Sequence, residues 1–508
     1  MGDEPAPTIE YLQELADADP RTAIELANRR GSKLDGLSIA GILIDAGTLV
    51  GDEQAIRRGI TLAKRHRRQW NEGEPLGDVG PYYEGNGFQS LANIIQEPPG
   101  HDDYPDRAMW FEFTRKDRLK ARRAFAESGE IGGTTAGQQA WINLGNDLHI
   151  TGRHIEAYDC FLRALPHPVA AGWAAEALNH SAEFNPRIAS SLRGRAGELA
   201  SIAQQGASVV ATMVGDAAVE YFANLPTSTE RQRDLDFAER SDYERFVEEH
   251  RLHLSIAADG VDPANWDHLP LPTYRVAIEE AEARSPELLA MFNVCKSDLL
   301  LARRLVFDGL AVADFADAEL YGDTLDYARY GQQVSKLTLG LRSALDVLDK
   351  VATAFNHHFS VGLNPKIVSF GTIWRDAEKG NELRPVVRNE IHVGNMGVLA
   401  LVELSTDLYE NGWLSKRRQL RNVATHHFVV GHDMMSQPIR SSPATTHLRV
   451  DDLGKSAISA VRLGRSALCY LAEAIRRYED RNRPGVPLAV PIIYPSHSYI
   501  MQNGRRHL

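Results

Sequence analysis

The sequence predicts an all-α protein in which a helical solenoid is followed by a helical bundle. Three observations lead to this prediction: paired amphipathic stretches near the N-terminus, a helix–turn–helix repeat further along, and a long apolar stripe in the second half. A chain of 508 residues is too long for a single core, so we expect several domains. The expected order is a helical repeat region, a connector, a helical bundle and a tail, at residues 1–225, 226–284, 285–485 and 486–508.

The repeat region begins with paired amphipathic helices over residues 9–66, which we expect to turn near Gly51. Residues 70–105 are rich in glycine and proline and are expected to be irregular. The clearest repeat follows at residues 138–170, where large and small apolar residues are spaced as in two packed helices. Its positions resemble a tetratricopeptide (TPR) unit: Trp141, Leu144, Gly145, Leu148, Gly152, Ala157, Phe161 and Ala164, with Pro166 and Pro168 closing it. Such surfaces bind peptides or proteins, so the resemblance implies a partner of that kind.

Charge is distributed unevenly along the chain. The net charge is −12, but residues 330–508 carry +8 and the remainder carries −20. A basic second half is consistent with a polyanionic partner, and it is equally consistent with attraction between the two halves.

Three distant cysteines, without a CxxC pair, exclude a disulfide framework or zinc ribbon and fit a reducing compartment. The N-terminus lacks an apolar signal segment, and no long apolar run is present. We therefore expect a cytoplasmic protein that does not contact the membrane.

The segment Lys416–Val430 is predicted to form a helix that Ser415 caps and Gly431 ends. On a helical wheel, Arg421, Asn422 and His426 share a polar face, whereas His427 falls on the apolar side. An arginine can bind phosphate through two hydrogen bonds, and a histidine can move a proton near neutral pH. This face therefore suits phosphodiester chemistry. The preceding basic run is either a contact for the RNA backbone or a solvated face: Lys416, Arg417 and Arg418.

The order Arg421-Asn422, three residues, His426 resembles the RN-x-x-x-H signature of HEPN ribonucleases. The sequence before it is similar to a TPR-associated branch of the HEPN superfamily. The similarity consists of a long helix with Leu341-Arg342 and Asp349-Lys350, a Val-Ser-Phe…Ile-Trp stretch at 368–374, and an Asn…Leu-Ser…Asp-Leu helix. It covers roughly residues 285–482.

The resemblance implies an endoribonuclease that needs no metal or cofactor and cleaves RNA by attack of the 2′-hydroxyl on phosphorus. Arg421 would stabilise charge on the phosphoryl oxygens, His426 would transfer the proton and Asn422 would hold the geometry. Asp349 and Lys350 are candidates to complete the site. The resemblance also implies a homodimer and a bacterial defence or toxin-like role controlled through the TPR-like region. The alternative is a non-catalytic HEPN/TPR scaffold, or a dimerisation module that binds nucleotides or RNA.

Overall fold

A computed structural model shows that the chain is mainly helical, with two small sheets among the residues it describes, which confirms the predicted fold class. None of the helices in the described part of the chain is long and apolar enough to cross a membrane. The structure describes residues 8–30, 36–69, 76–94, 105–228, 240–257, 261, 263–271, 287–311, 321, 322, 324, 328–415, 428–433, 442 and 444–482.

The N-terminal helices pack in sequence order, as the amphipathic pattern predicts. They are α1 (Ile9–Ala18), α2 (Pro20–Arg30), α3 (Gly36–Val50) and α4 (Glu53–Gln69). The chain turns between α3 and α4 at Gly51, whose φ of 70° lies in the left-handed region that glycine adopts without strain. The predicted turn near Gly51 is therefore confirmed.

The expectation that residues 70–105 are irregular is wrong for α5 (Val79–Ile94). The glycines in this stretch serve close helix packing rather than a loop. A Cβ added to Gly85 would lie 2.5 Å from the Phe125 ring, and one added to Gly87 would lie 2.4 Å from the Ile60 side chain. Phe125 belongs to the long helix α6 (Pro105–Ile131) that packs against α5.

The TPR-like repeat forms a helical hairpin of α7 (Thr135–Ile150) and α8 (His154–Arg163), joined by a turn at Gly152 with φ of 77°. A Cβ on Gly145 would lie 2.4 Å from the Phe161 ring, so the small residue lets the two helices cross closely. This hairpin is compatible with a TPR unit. The helices that follow are α9 (Pro168–Phe184), α10 (Ala189–Gln205), α11 (Ala207–Val214) and α12 (Asp216–Ala223).

The segment predicted as a connector is packed into the core where it is described. It contains α13 (Asp242–Glu249), which begins with a capping box between Ser241 and Glu244. Trp266 is buried, and Nη2 of Arg303 on the next helix donates to Oδ2 of Asp267 at 2.7 Å. This segment therefore joins the two halves through direct contacts.

The second half is a bundle of α14 (Glu287–Ala311), α15 (Gln332–His358), α16 (Pro385–His392), α17 (Met396–Tyr409) and α18 (Val450–Asn482). Helices α14, α15 and α18 pack together, and α17 lies so close to α18 that a Cβ on Gly397 would be 2.4 Å from the Ala474 backbone nitrogen. One continuous apolar core runs from Ile56 in α4 to Ile475 in α18. The two halves of the chain thus fold around a shared core.

Two small sheets accompany the bundle. In one, β4 (Phe428–His432) lies between β1 (Ala328–Arg329), which is antiparallel to it, and β5 (Thr445–Arg449), which is parallel to it. In the other, β2 (Arg375–Asp376) pairs with β3 (Glu382–Leu383).

The prediction that the motif helix continues to Val430 and stops at Gly431 is wrong, because Phe428–His432 is a strand. Phe428, Val429 and Val430 are aromatic or β-branched residues that favour extended backbone when a partner strand is available. Gly431 allows this strand to approach the bundle, since an added Cβ would lie 2.7 Å from Cγ2 of Val334.

Candidate functional site

The segment 416–427, called the motif segment below, lies outside the described residues. It holds the predicted RNA-cleaving face and the basic run that precedes it: Lys416, Arg417, Arg418, Arg421, Asn422 and His426. The structure describes the residues on both sides of the segment, and these show how it is attached to the protein.

On its upstream side the motif segment is anchored by Trp413 and Leu414. Leu414 is fully buried, and Nε1 of Trp413 donates a 3.1 Å hydrogen bond to Oδ2 of Asp407. The intervening turn is tight, because Asn411 has a φ of 62° and a Cβ on Gly412 would lie 2.4 Å from Oδ1 of Asp407. The chain therefore leaves α17 in a fixed direction.

On its downstream side the motif segment continues directly into β4, the middle strand of its sheet. The backbone nitrogen of Phe428 donates to the carbonyl oxygen of Ala444 at 2.8 Å. At the other end of the strand, Nε2 of the buried His432 lies 2.8 Å from Nδ1 of His447 on β5. Both ends of the motif segment are thus fixed to ordered elements.

The residues that carry the family resemblance meet around one turn of the bundle. Oδ1 of Asp349 accepts a 2.8 Å hydrogen bond from the backbone nitrogen of Phe370. The Phe370 carbonyl in turn accepts from Oγ of Ser405 at 2.9 Å and from Nε1 of Trp374 at 2.6 Å. These contacts tie α15, the 368–374 stretch and α17 together.

Asp349 and Lys350 therefore both have structural partners. Asp349 fixes the turn at Phe370, and the Lys350 ammonium pairs with Asp298 on α14. Their participation in catalysis stays a prediction, whereas these contacts support a role in positioning the helices of the bundle.

A buried group of ion pairs, called the arginine clasp below, joins the repeat region to α17. Arg118 and Arg122 on α6 and Arg153 before α8 reach two carboxylates on α17, Glu403 and Asp407. Nη1 and Nη2 of Arg118 donate to Glu403 at 2.9 and 2.7 Å. Nη1 of Arg122 donates to Oδ2 of Asp407 at 3.0 Å, and Arg153 also contacts that oxygen. All five side chains are buried.

The charges of the clasp compensate one another. Burial alone would raise the pKa of Glu403, but Arg118 and Arg122 hold it at about 2. Burial would likewise lower the pKa of Arg122, but Asp147, Asp407 and Glu403 raise it well above its usual range. Glu403 and Arg122 therefore keep their charges in the core because oppositely charged side chains surround them.

A second group of arginines lines a cleft next to the anchor of the motif segment. This arginine-lined cleft is bounded by Trp141, Glu156, Asp159, Cys160, Arg163, Trp413, Leu414, Arg462, Leu463, Arg465 and Ser466. The exposed guanidinium of Arg163 lies over the Trp141 ring, 4.3 Å from its centroid. Nε of Arg462 donates to the His250 carbonyl at 2.9 Å.

The arginine-lined cleft carries excess positive charge. Asp159 accepts from Arg251 at 3.1 Å and from Arg465 at 3.3 Å, while Glu156 is engaged by Arg153 and the Tyr470 hydroxyl. Burial, together with the charges of Arg465, Arg163 and Arg251, lowers the pKa of Arg462 to about 10 although Asp159 opposes this shift. A second anion in the cleft would relieve this repulsion.

The sequence analysis missed both the clasp and the cleft. A signal for the clasp exists: Arg118 and Arg122 are four residues apart on α6, as are Glu403 and Asp407 on α17, so each pair projects from one helix face. The pairing of those faces depends on how the two halves dock, which periodicity does not specify. In the cleft, Arg163 lies on α8 whereas Arg462 and Arg465 are three residues apart on α18, and the sequence does not indicate that these two helices meet.

One group beside this cleft gives the protein a defined acid sensitivity. His253 is buried, and its Nδ1 lies 2.6 Å from the Ser255 carbonyl oxygen. Burial, followed by the positive charge of Arg465, lowers the pKa of His253 to about 4. At pH 5 the folded protein keeps this imidazole neutral, whereas the unfolded chain protonates it below about pH 6.5. Lowering the pH from 7 to 5 is therefore expected to reduce the free energy of unfolding by roughly 1–2 kcal/mol through His253.

Urea unfolding at pH 7 and pH 5 tests this expectation. His253→Gln removes the titrating group and should make the free energy of unfolding less dependent on pH by about that amount. His357→Gln makes the same substitution at an exposed histidine and is the matched control. An unchanged dependence in His253→Gln would contradict the assignment.

Comparison with known proteins identifies a family that part of the chain matches. Residues 279–478 match the LA2681-like HEPN family. No curated protein and no solved structure matches the chain significantly. The match covers α14 to α17, the motif segment and most of α18. It supports a ribonuclease-type or nucleotide-related function.

Proposed function

Residues 279–478 form an LA2681-like HEPN domain, and from this premise we propose that the protein is a metal-independent endoribonuclease. Arg421 and His426 are its catalytic pair, and Asn422 holds their geometry. The RNA 2′-hydroxyl attacks the adjacent phosphorus, the bond to the 5′-oxygen breaks, and the products carry a 2′,3′-cyclic phosphate and a 5′-hydroxyl.

Each step of this reaction has a requirement that the motif residues meet. The 2′-hydroxyl must lose a proton and the 5′-oxygen must gain one, which are tasks for imidazoles near neutral pH. The phosphoryl oxygens gain charge, which a guanidinium stabilises through paired hydrogen bonds. A two-fold dimer would bring the motif segments of two subunits together. One imidazole then acts as base, and His426 of the partner subunit acts as acid.

The observation that carries this proposal is the position of the arginine-lined cleft beside the motif segment. Trp413 and Leu414 line the cleft, and the motif segment begins two residues later. Guanidinium groups bind phosphates, and aromatic rings stack on bases of single-stranded RNA. The cleft supports the proposal because its guanidinium groups and the Trp413 ring lie close to the point where the motif segment begins.

The biological setting follows as part of the same proposal. A ribonuclease without tight control would damage the RNA of its own cell, and a bacterial defence or toxin-like effector is active only when triggered. The TPR-like region is suited to receive such a trigger from a protein or peptide. The arginine clasp connects that region to α17, immediately before the motif segment, and offers a route for control.

The test is cleavage of a labelled single-stranded RNA by the purified full chain, with EDTA added immediately before the substrate. Wild type should generate fragments with cyclic-phosphate ends, and Arg421→Ala should lower the rate about 10²–10³-fold. Equal cleavage by both proteins would contradict the role of Arg421. If wild type stays inactive at all protein concentrations, also after candidate activating peptides are added, the scaffold alternative replaces the proposal.

The arginine-lined cleft leads to a separate prediction about the affinity of the protein for RNA. Arg163 is exposed and has no carboxylate partner among the described residues, so Arg163→Ala should weaken RNA binding about 3–10-fold without unfolding the protein. The slope of log K against log salt concentration should fall by about 0.7, as expected for one lost phosphate contact.

Fluorescence anisotropy at several salt concentrations measures both quantities. Lys455→Ala is the matched control, because Lys455 is an exposed cation on α18 outside the cleft. An equal loss of affinity in the two variants would mean that RNA is attracted by general charge and not by the cleft.

A further inference from the structure

Three metal-ligating side chains from three helices meet at the seam between the repeat region and the HEPN domain. His154 at the start of α8, His180 on α9 and Glu473 on α18 each place one ligand atom within 4.8 Å of the others. We call them the histidine cluster. Nε2 of His180 lies 3.3 Å from Oε1 of Glu473, and Nδ1 of His154 lies 3.6 Å from Oε2 of the same carboxylate.

The histidine cluster is buried but incompletely satisfied. His154 and Glu473 are 6% and 3% exposed. Oε2 of Glu473 has no hydrogen-bond partner among the described residues, and the 3.3 Å contact of His180 Nε2 with Oε1 is not aligned as a hydrogen bond. Buried polar atoms normally have partners, because an unpartnered one costs about 1–3 kcal/mol. The pair of orphaned atoms therefore indicates that the described side chains do not complete this site.

Hydrogen bonds from neighbouring groups fix the orientation of the ligand side chains. Nε of Arg477 donates to Oε1 of Glu473 at 2.9 Å, while Nδ1 of His154 lies 3.1 Å from the Gly152 carbonyl. Donation from Nδ1–H of His154 to this carbonyl leaves Nε2 of the ring as the nitrogen that can ligate a metal. His149 and Glu176 form a neighbouring pair, with His149 Nε2 3.0 Å from Glu176 Oε2.

The ligand atoms lie close enough together to bind a small tetrahedral ion. Bonds of about 2.0–2.2 Å place neighbouring ligands roughly 3.4 Å apart, and the three ligand atoms of the cluster lie within 4.8 Å of one another, so that small side-chain movements bring them to this spacing. A cavity of about 50 Å³ adjoins the cluster and is lined by His154, Glu473 and Cys469, which lies one helical turn before Glu473. The cavity provides room for a water molecule as the fourth ligand.

We propose that the histidine cluster binds one zinc-class transition-metal ion through His154, His180 and Glu473. Two nitrogens and one carboxylate are ligands that zinc prefers, whereas calcium and magnesium prefer oxygen ligands only. The ion ties α8 and α9 of the repeat region to α18 of the HEPN domain. Its role is to fix the docking of the two halves, and RNA cleavage does not pass through it.

The experiment uses the full chain, stripped by prolonged dialysis against a chelator and then loaded with Zn²⁺ or Co²⁺. Wild type should take up one equivalent of Zn²⁺ by elemental analysis and by titration calorimetry, and its melting temperature should rise on loading. Co²⁺ should give the visible absorption bands of a cobalt ion with nitrogen and oxygen ligands. His180→Gln and Glu473→Gln should each weaken metal binding at least about tenfold.

His357→Gln is the control, because His357 is an exposed histidine at the end of α15. It should bind metal as wild type does. Three results would each overturn the proposal: no metal uptake by wild type, unchanged uptake in both cluster variants, or equal loss in His357→Gln. If a cluster variant fails to fold, two measurements on wild type still test the proposal: the cobalt spectrum and the metal stoichiometry at pH 5 and pH 7.5. A site with histidine ligands should release its metal at the lower pH.

Discussion

RNA cleavage is expected to fall about 10²–10⁴-fold when His426 is replaced by glutamine, because the reaction loses a group that moves a proton in the transition state. Glutamine keeps a similar size and polarity but does not titrate, so the variant separates proton transfer from packing. The loss should appear in kcat, while RNA binding measured by anisotropy should change little. A large loss of affinity without a loss in kcat would assign His426 to binding.

The neighbouring histidine gives this experiment its matched control. His427 is one position away and carries the same chemistry, but the wheel places it on the apolar side of the motif segment, and β4 begins directly after it. His427→Gln should therefore keep activity within a few-fold of wild type. If His427→Gln is inactive and His426→Gln is active, the two assignments must be exchanged. If neither variant loses activity, the RN-x-x-x-H segment is not the catalytic site.

Replacing Asp407 with alanine is expected to destabilise the protein by about 3–5 kcal/mol, because it removes one partner of a buried ion pair and leaves cations unpaired in the core. Asp407 is fully buried. Its Oδ2 accepts hydrogen bonds from Arg122, Arg153 and the Trp413 indole. The variant therefore weakens both the docking of the repeat region and the upstream anchor of the motif segment, so RNA cleavage should fall along with stability.

Urea unfolding measures this effect, and Asp346→Ala on α15 is the control. Asp346 is also a helix carboxylate in an ion pair, with Nε of Arg342 at 3.9 Å, but both side chains are more than 40% exposed. Its loss should cost less than about 1 kcal/mol. A cost for Asp407→Ala as small as that of the control would show that the clasp does not hold the two halves together.

A double substitution separates two contributions to the loss of stability: the loss of the ion pair itself and the cost of leaving one charge buried without a partner. Arg122→Ala combined with Asp407→Ala should be less destabilising than the sum of the two single changes, because each single change leaves the other charge buried without its partner. Strict additivity in this cycle would contradict a direct interaction between the two side chains.

The helices could be predicted from the sequence because their signals are local. Apolar periodicity specifies α15 and the α7–α8 hairpin, and Gly51 marks a turn that needs a left-handed backbone. The same local reasoning fails for α5, where Gly85 and Gly87 look like loop residues but serve close packing. It also fails for Phe428–Val430, whose strand depends on a partner more than a dozen residues away.

The chemistry proposed for the candidate site is a prediction from the sequence alone, because Arg421, Asn422 and His426 lie on one stretch and their spacing is independent of the rest of the fold. Only the tertiary structure decided which groups surround that stretch. The clasp, the arginine-lined cleft and the histidine cluster each combine side chains separated by up to about 300 positions, such as Arg118 with Glu403 and Asp159 with Arg465. Such pairs are set by how two apolar surfaces dock, and docking is a property of the whole core that no local pattern encodes.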